Sequence, residues 1–324
     1  MTQPTPLRFL VADIGGTNTR VALTDGGAVL SETIRRYRND ENTALEPILE
    51  DYLATQKGNV PDAVCVAIAG PVRDGKGRLT NRDWYMDQSS ISAATGASDV
   101  ALLNDLQAQG YALEYVAADD LVCIRSGSDA PVGAGKLVIN LGTGFNASPV
   151  FMTPAGPFVA TSESGHANMP TRNAQDLRLC EFIEKKHGFA AIDDILSGRG
   201  LERVYAFLSC EAGQGQALNS SAIVSGCTDR SDPIAIEAVA YFIRLTAMVA
   251  GNLALVQLPF GGIYLVGGLS SAIVPFMSEA GFEAAFRDKG RFADFMDDFG
   301  IYVVQDDYAA LTGMAAYLQN NATV

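Results

Sequence analysis

The stretch that most limits what this chain can fold into runs from Phe9 to Asp25. It reads Phe9-Leu-Val-Ala-Asp13-Ile-Gly15-Gly16-Thr17-Asn18-Thr-Arg20-Val-Ala-Leu-Thr-Asp25. An apolar run from Phe9 leads into Asp13, a Gly/Thr turn follows, and Val21 to Leu23 forms a second apolar run. The spacing predicts strand, turn, strand, with the turn built from residues that accept unusual backbone angles. A tip without bulky side chains lets backbone N–H groups approach an anion closely. Asp13 is the unexpected member: a carboxylate closing a buried strand beside a phosphate-sized nest calls for a cation. Mg²⁺ carried on a nucleotide fits, since it keeps most of its waters and meets protein through one or two carboxylates. The alternative is an ordinary hairpin with a solvated aspartate.

A second such stretch occurs at a constant offset of 127 residues, where Leu137-Val-Ile-Asn140-Leu-Gly142-Thr143-Gly144-Phe-Asn146 aligns with Leu10 to Thr19. One supersecondary unit repeated at domain-sized spacing predicts two similar lobes, each offering a phosphate-binding hairpin to a shared cleft. With 324 residues, 48% of them hydrophobic, the chain can bury a large core and two domains are expected. The division expected is 1–115 plus 306–324 for a small lobe and 116–305 for a large one. Strands interspersed with helices predict an α/β fold. Among these elements, 28–34 reads as a third strand, 233–258 as a long helix, and 309–319 as a last helix returning to the first lobe, where Ala310 and Gly313 suit close packing.

The net charge of −14 argues against nucleic-acid binding, which needs a basic surface. The Arg35-Arg36-Tyr37-Arg38 cluster reads as a solvated strand face. No secretory signal is evident, and no run approaches the ~18 apolar residues of a membrane helix. Five widely spaced cysteines without a C-x-x-C pair read as reduced thiols, which suits the cytoplasm. Two nucleotide motifs fail. Gly142-Thr-Gly144-Phe-Asn-Ala147 matches a dinucleotide fingerprint, but Ser148-Pro149-Val150 is extended where a helix is required. Gly70 to Lys76 resembles a P-loop, but position 77 is glycine where a hydroxyl must hold Mg²⁺.

Asn104-Asp105 closes a predicted strand, where α/β sheets place their ligands. A carboxylate there, with an amide beside it, can bind a hydroxyl and accept its proton. Glu163, Gly165 and His166 form a second polar cluster, and Asp193-Asp194 is a third acidic point, with a solvated helix start as the alternative for Asp193. Carboxylate and amide hydrogen bonds hold polyols well. The residues alone therefore point to an ATP-dependent kinase of a neutral polyol.

The chain also resembles the bacterial glucokinases, within the sugar kinase and actin superfamily of two-lobed ATPases. The motifs that carry the resemblance are Asp13 to Arg20, Ala69-Gly-Pro-Val72, Leu79-Thr-Asn81 with Trp84, Leu103-Asn-Asp105, Gly142-Thr-Gly144, Glu163-x-Gly165-His166, Leu196-Ser-Gly198, Gly267-Gly268 and Asp288 to Phe292. The resemblance implies an actin-like (ribonuclease H-like) fold with a central cleft and transfer of phosphate from ATP to the 6-hydroxyl of glucose. It implies Asp105 as catalytic base, and Asn104, Glu163, His166, Asp193 and Asn81 as sugar contacts. It places Gly15, Gly16, Thr17 and Asn18, with Gly142, Thr143 and Gly144, at the phosphates, and Gly267 and Gly268 near adenosine. Asp13 meets Mg²⁺ through water in this reading, and Trp84 lies near the cleft. Two residues and one three-residue stretch depart from the family pattern. Asp193 stands where a glutamate is usual, Ser164 where a glycine is usual, and Phe145-Asn146-Ala147 where Leu-Gly-Val is common. The first two leave the preferred sugar open, so another hexose is an alternative substrate. A non-catalytic sugar sensor or actin-like ATP-binding protein is the other alternative. The partners expected are a small sugar, with neither nucleic acid nor membrane; a homodimer stays open.

Overall fold

The computed structural model describes residues 7–56, 60–79 and 82–321. It separates into two compact units. One holds the residues up to Ala117, Thr153–Thr161 and those from Asp306 on; the other holds Ala118–Met152 and Ser162–Gln305.

In the first unit, Phe9–Ile14 and Asn18–Asp25 form an antiparallel hairpin paired from Leu10↔Leu23 to Ile14↔Thr19. Ala63–Ile68 and Asp99–Asn104 then add in parallel, so that Ile14, Ile68 and Asn104 lie level at the carboxyl end of three neighbouring strands. Leu10, Ala12 and Ile14 pack with Ile48, Leu49 and Tyr52 of the helix Glu46–Thr55. The expected third strand over 28–34 is broken. Ala28–Val29 pairs briefly, a 3-10 turn spans Ser31–Thr33, and Arg35–Arg38 forms a separate strand with three of its four residues exposed. The cause is Thr33, whose hydroxyl accepts from Leu23 N (3.0 Å) and donates to Leu30 O (2.6 Å), so a side chain takes over from the ladder. A helix at Gln88–Thr95 is present where none was expected, with Asp87 accepting from Ser90 N (2.9 Å) and Gly96 closing it at φ 76°.

Trp84 is 6% exposed and belongs to this core. The C-terminal helix Ala309–Asn321 packs on the helix Asp105–Ala112 so tightly that a Cβ at Gly313 would stand 1.8 Å from Ala108 O. Thr153–Thr161 groups with this unit, which differs from the division read from sequence. Gln107 Nε2 donates to Val159 O (3.1 Å), a tertiary bond that local pattern does not announce.

The second unit repeats the plan. Lys136–Leu141 and Phe145–Thr153 form an antiparallel hairpin; Ile263–Val266 and Ile301–Val304 add in parallel, and Leu121–Arg125 pairs antiparallel at the far side. The two hairpins differ by one residue. Four residues separate the paired Ile14 and Thr19, and three separate Leu141 and Phe145, so the gap-free repeat slips across the turn.

The core of this unit is built around the helix Pro233–Gln257, whose first N–H groups are capped by Asp232 Oδ1 (2.8 Å to Ile234 N, 3.2 Å to Ala235 N). This helix corrects the sequence reading on one point. It is long and apolar enough to cross a membrane, with a mean hydropathy of 1.7, yet 67% of that window is buried against protein. Length and composition alone do not separate a core helix from a spanning one.

Candidate active site

In the first unit the candidate groups meet at one end of the sheet. The Gly15–Asn18 turn follows Ile14, and Asn104 ends, with Asp105 following, the parallel strand two places away. Asn104 caps the helix Asp105–Ala112. Its Oδ1 accepts from Leu106 N (3.0 Å), Gln107 Oε1 accepts from Asn104 N (3.1 Å), and Asn104 Nδ2 donates to Gly70 O (3.0 Å). Asp105 is the first residue of that helix, where an anionic side chain meets the positive end of the helix dipole. Its Oδ1 accepts from Leu106 N (2.8 Å), which orients the carboxylate.

The Gly15–Asn18 turn is shaped by residues that sequence reasoning missed. Asn39, with no exposed surface, donates Nδ2 to Gly15 O (2.8 Å), accepts at Oδ1 from the Thr19 hydroxyl (2.8 Å), and its backbone N–H donates to Thr17 O (2.9 Å). The Arg82 guanidinium donates to Gly16 O (3.3 Å) and Asn39 O (3.0 Å). The only local signal was Asn39 lying just after the Arg35–Arg38 cluster, and nothing in its spacing pointed to the turn.

Asp13 lies across the ladder from Arg20, and their side chains pair at 3.2 Å. Burial pushes the Asp13 carboxyl above its ordinary range, and Arg20 opposes that by charge and hydrogen bond. Asn81, expected at the sugar, lies outside the described residues.

In the second unit, Gly142, Thr143 and Gly144 form the turn, with Thr143 exposed. Gly142 N donates to Gly144 O (3.1 Å) and Gly198 N to Gly142 O (2.8 Å). Gly267 follows the neighbouring strand at φ 95°, and a Cβ there would stand 2.5 Å from Leu141 O, so only glycine fits beneath the turn. Gly268 is exposed and opens a short helix.

Glu163 precedes and His166 ends the 3-10 turn Ser164–His166, with their side chains 63% and 74% exposed and Oε2 and Nε2 3.9 Å apart. Asp193 is placed differently from a free sugar ligand. Its Oδ1 accepts from Phe145 N (2.6 Å) and its own N–H donates to Gly165 O (2.9 Å). Two cavities of about 510 and 460 Å³, lined by Arg172, Met248 and Asp288 among others, contain none of these residues. Among the described residues no group of three or more His, Cys, Asp or Glu is arranged to chelate a metal.

The arrangement offers phosphate-sized turns, a capped and oriented aspartate, and an exposed carboxylate–imidazole pair. Its affiliation follows from comparison with known proteins. The profile of the glucokinase family matches residues 10–321. The chain belongs to the glucokinase family. Glucokinase of Mesorhizobium japonicum is 32% identical over 320 residues, covering 98% of this chain and 93% of the relative. Glucokinase of Saccharophagus degradans is 30% identical, covering 96% and 98%. The crystal structure of a glucokinase from an Antarctic psychrotroph superposes with a TM-score of 0.85 at 27% identity, covering 97% of this chain and 99% of that one. The fold is that of the actin-like ATPases.

Proposed function

We propose that this chain is an ATP-dependent glucokinase that transfers the γ-phosphoryl group of ATP to the 6-hydroxyl of glucose. The observation that carries the reading is Asp105, held by the Asn104 cap at the carboxyl end of a parallel strand, level with the Gly15–Asn18 turn. Full-length similarity to glucokinases supports the same assignment.

Phosphoryl transfer requires mainly positioning and charge stabilisation. Asp105 orients the sugar hydroxyl and takes its proton as the oxygen–phosphorus bond forms and the bond to the β-phosphate oxygen breaks, releasing ADP. Asn104, Glu163 and His166 are assigned to sugar hydroxyls, Asn81 with them. The turns Gly15-Gly16-Thr17-Asn18 and Gly142-Thr143-Gly144 are assigned to phosphate oxygens, Gly15 and Gly142 shaping them through their own N–H bonds to Asn18 O (3.0 Å) and Gly144 O (3.1 Å), and Gly267 and Gly268 are assigned to the adenosine. Asp13 fits a hydrated Mg²⁺ in chemistry, since it is a carboxylate at the foot of the first turn with one cationic neighbour. The metal, when bound, neutralises phosphate charge. A reducing, cytoplasmic compartment belongs to this reading, and the five cysteines are all free thiols.

Another hexose is the second reading, favoured by the engagement of Asp193 with Phe145 N. The test is ADP release measured with glucose, mannose, fructose and N-acetylglucosamine. Strongest stimulation by glucose is expected; stimulation by none of the four would overturn the kinase assignment.

A further inference from the structure

Two of the positions at which this chain departs from the common family pattern, Asn146 and Ser164, are bonded to each other. Asn146 Oδ1 accepts from Ser164 N (3.1 Å) and the Ser164 hydroxyl (3.1 Å), and Asn146 Nδ2 donates to Ser162 O (2.6 Å). Ala147 N donates to Ser164 Oγ (2.9 Å). Glycine at 146 could form none of Asn146's side-chain bonds, and glycine at 164 would keep only the backbone bond to Asn146 Oδ1. Asp193 adds a bridge from the other side, reaching Phe145 N through Oδ1 (2.6 Å) and Gly165 O through its own N–H (2.9 Å). Between these bonds the backbones touch, since a Cβ at Gly165 would stand 2.1 Å from Phe145 O. The loop bearing Glu163 and His166 and the turn bearing Thr143 are therefore one hydrogen-bonded body.

We infer that Asn146, Ser164 and Asp193 are positioning residues that lock these two segments together, so that sugar affinity and nucleotide affinity depend on one shared set of bonds. The inference rests on the kinase reading for its consequences and on the bonds for its mechanism. A side-chain change on the sugar loop must then be felt by the nucleotide, and a change beside the phosphate turn by the sugar. Because Asn146 and Ser164 share the bond from the Ser164 hydroxyl to Asn146 Oδ1 (3.1 Å), removing both side chains removes less than the sum of the two single losses.

The experiment is a cycle of Asn146→Gly, Ser164→Gly and the double variant, with Ser164→Thr as the conservative replacement that keeps the hydroxyl. Each is measured for kcat, for KM toward glucose and toward Mg·ATP, for thermal unfolding, and for hydrogen exchange over 142–147. Each single variant is expected to raise both KM values by roughly 3- to 10-fold, the range of one or two lost hydrogen bonds. The double variant is expected to lose more than either single one but less than the two losses combined, and Ser164→Thr to keep both constants near those of the wild type. Ser164→Gly is expected to speed exchange at Phe145–Ala147 by a similar factor. Additive losses, a change in the glucose constant alone, or a lower melting temperature with both KM values unmoved would each overturn the lock. If the wild-type chain shows no sugar-stimulated ADP release, the kinase reading fails. The exchange data then still decide, because unchanged exchange at 145–147 in Ser164→Gly overturns the lock on its own.

Discussion

Asp105 and Asp13 are both carboxylates at the end of a strand, and their surroundings give them different work. Asp105 is oriented by Leu106 N at 2.8 Å on the first turn of a helix. Asp105→Asn keeps the volume and most hydrogen bonding while removing the proton acceptor. Its kcat should fall by roughly 10²- to 10⁴-fold, the usual contribution of a general base, with glucose still bound in calorimetry. Near wild-type turnover would remove Asp105 from that role. Asp13 is 13% exposed and held by Arg20. Asp13→Asn should raise the Mg²⁺ concentration needed for half-maximal rate and leave glucose affinity alone. Wild-type kinetics at limiting Mg²⁺ would leave Asp13 a purely structural partner of Arg20. Both aspartates were legible because each interrupts an apolar run at its end. Arg20 was not, because its place opposite Asp13 depends on the register and on a turn one residue longer than in the repeat. Asn39 was missed, and the bond between Asp193 and Phe145 N was not foreseen, for a related reason. What these two residues do is set by backbone atoms more than 20 residues away, which periodicity does not encode.

At the level of elements, the hairpins and the long helices could be read from apolar patterning and turn chemistry. The short helix Gln88–Thr95 carried its own caps, Asp87 and Gly96, but only a weak apolar face. The strand expected over 28–34 failed because a threonine hydroxyl could substitute for ladder bonds. The helix pair formed by Asp105–Ala112 and Ala309–Asn321 makes the tightest test of element packing. Gly313→Ala places a methyl carbon 1.8 Å from Ala108 O, and backbone cannot swing aside as a side chain can. The helices must separate, at a cost of about 1–3 kcal/mol as for other overpacked contacts. Moving the Asp105 helix also moves the candidate base. Gly313→Ala should therefore lower both the midpoint of urea unfolding and kcat, whereas Gly188→Ala, where a Cβ meets nothing within 4 Å, should at most strain a helix end and leave kcat unchanged. An unchanged unfolding midpoint in Gly313→Ala would show that the two helices pack more loosely than described.

On the scale of the whole molecule, the chain carries a net charge of −14, and its response to acid depends on which carboxylates the fold holds in their charged form. Two buried ones pull in opposite directions. Asp13 has its carboxyl raised, chiefly by burial, so its contribution is present at low pH and is lost as pH rises through the raised value. Asp176, whose side chain has no exposed surface, goes the other way. Burial pushes its carboxyl up, but hydrogen bonds from Arg244 Nη2 (2.6 Å), Arg172 N (2.8 Å) and Tyr241 Oη (2.9 Å) outweigh burial and hold it below the ordinary 3.8. Its stabilisation is then complete above pH 3.8 and disappears as pH falls through the depressed folded value. Asp176→Asn removes the charge and turns one of the two accepting oxygens into an NH2 group that faces donors it cannot accept from. Breaking such a pair costs about 3–5 kcal/mol when both partners are buried; with Arg244 30% exposed, about 2–4 kcal/mol is expected near neutral pH. Urea unfolding of both proteins from pH 7 down to pH 3 would check it, the wild-type advantage narrowing only at the acid end. A gap that stays constant across that range would assign the loss to packing rather than to the charge of Asp176.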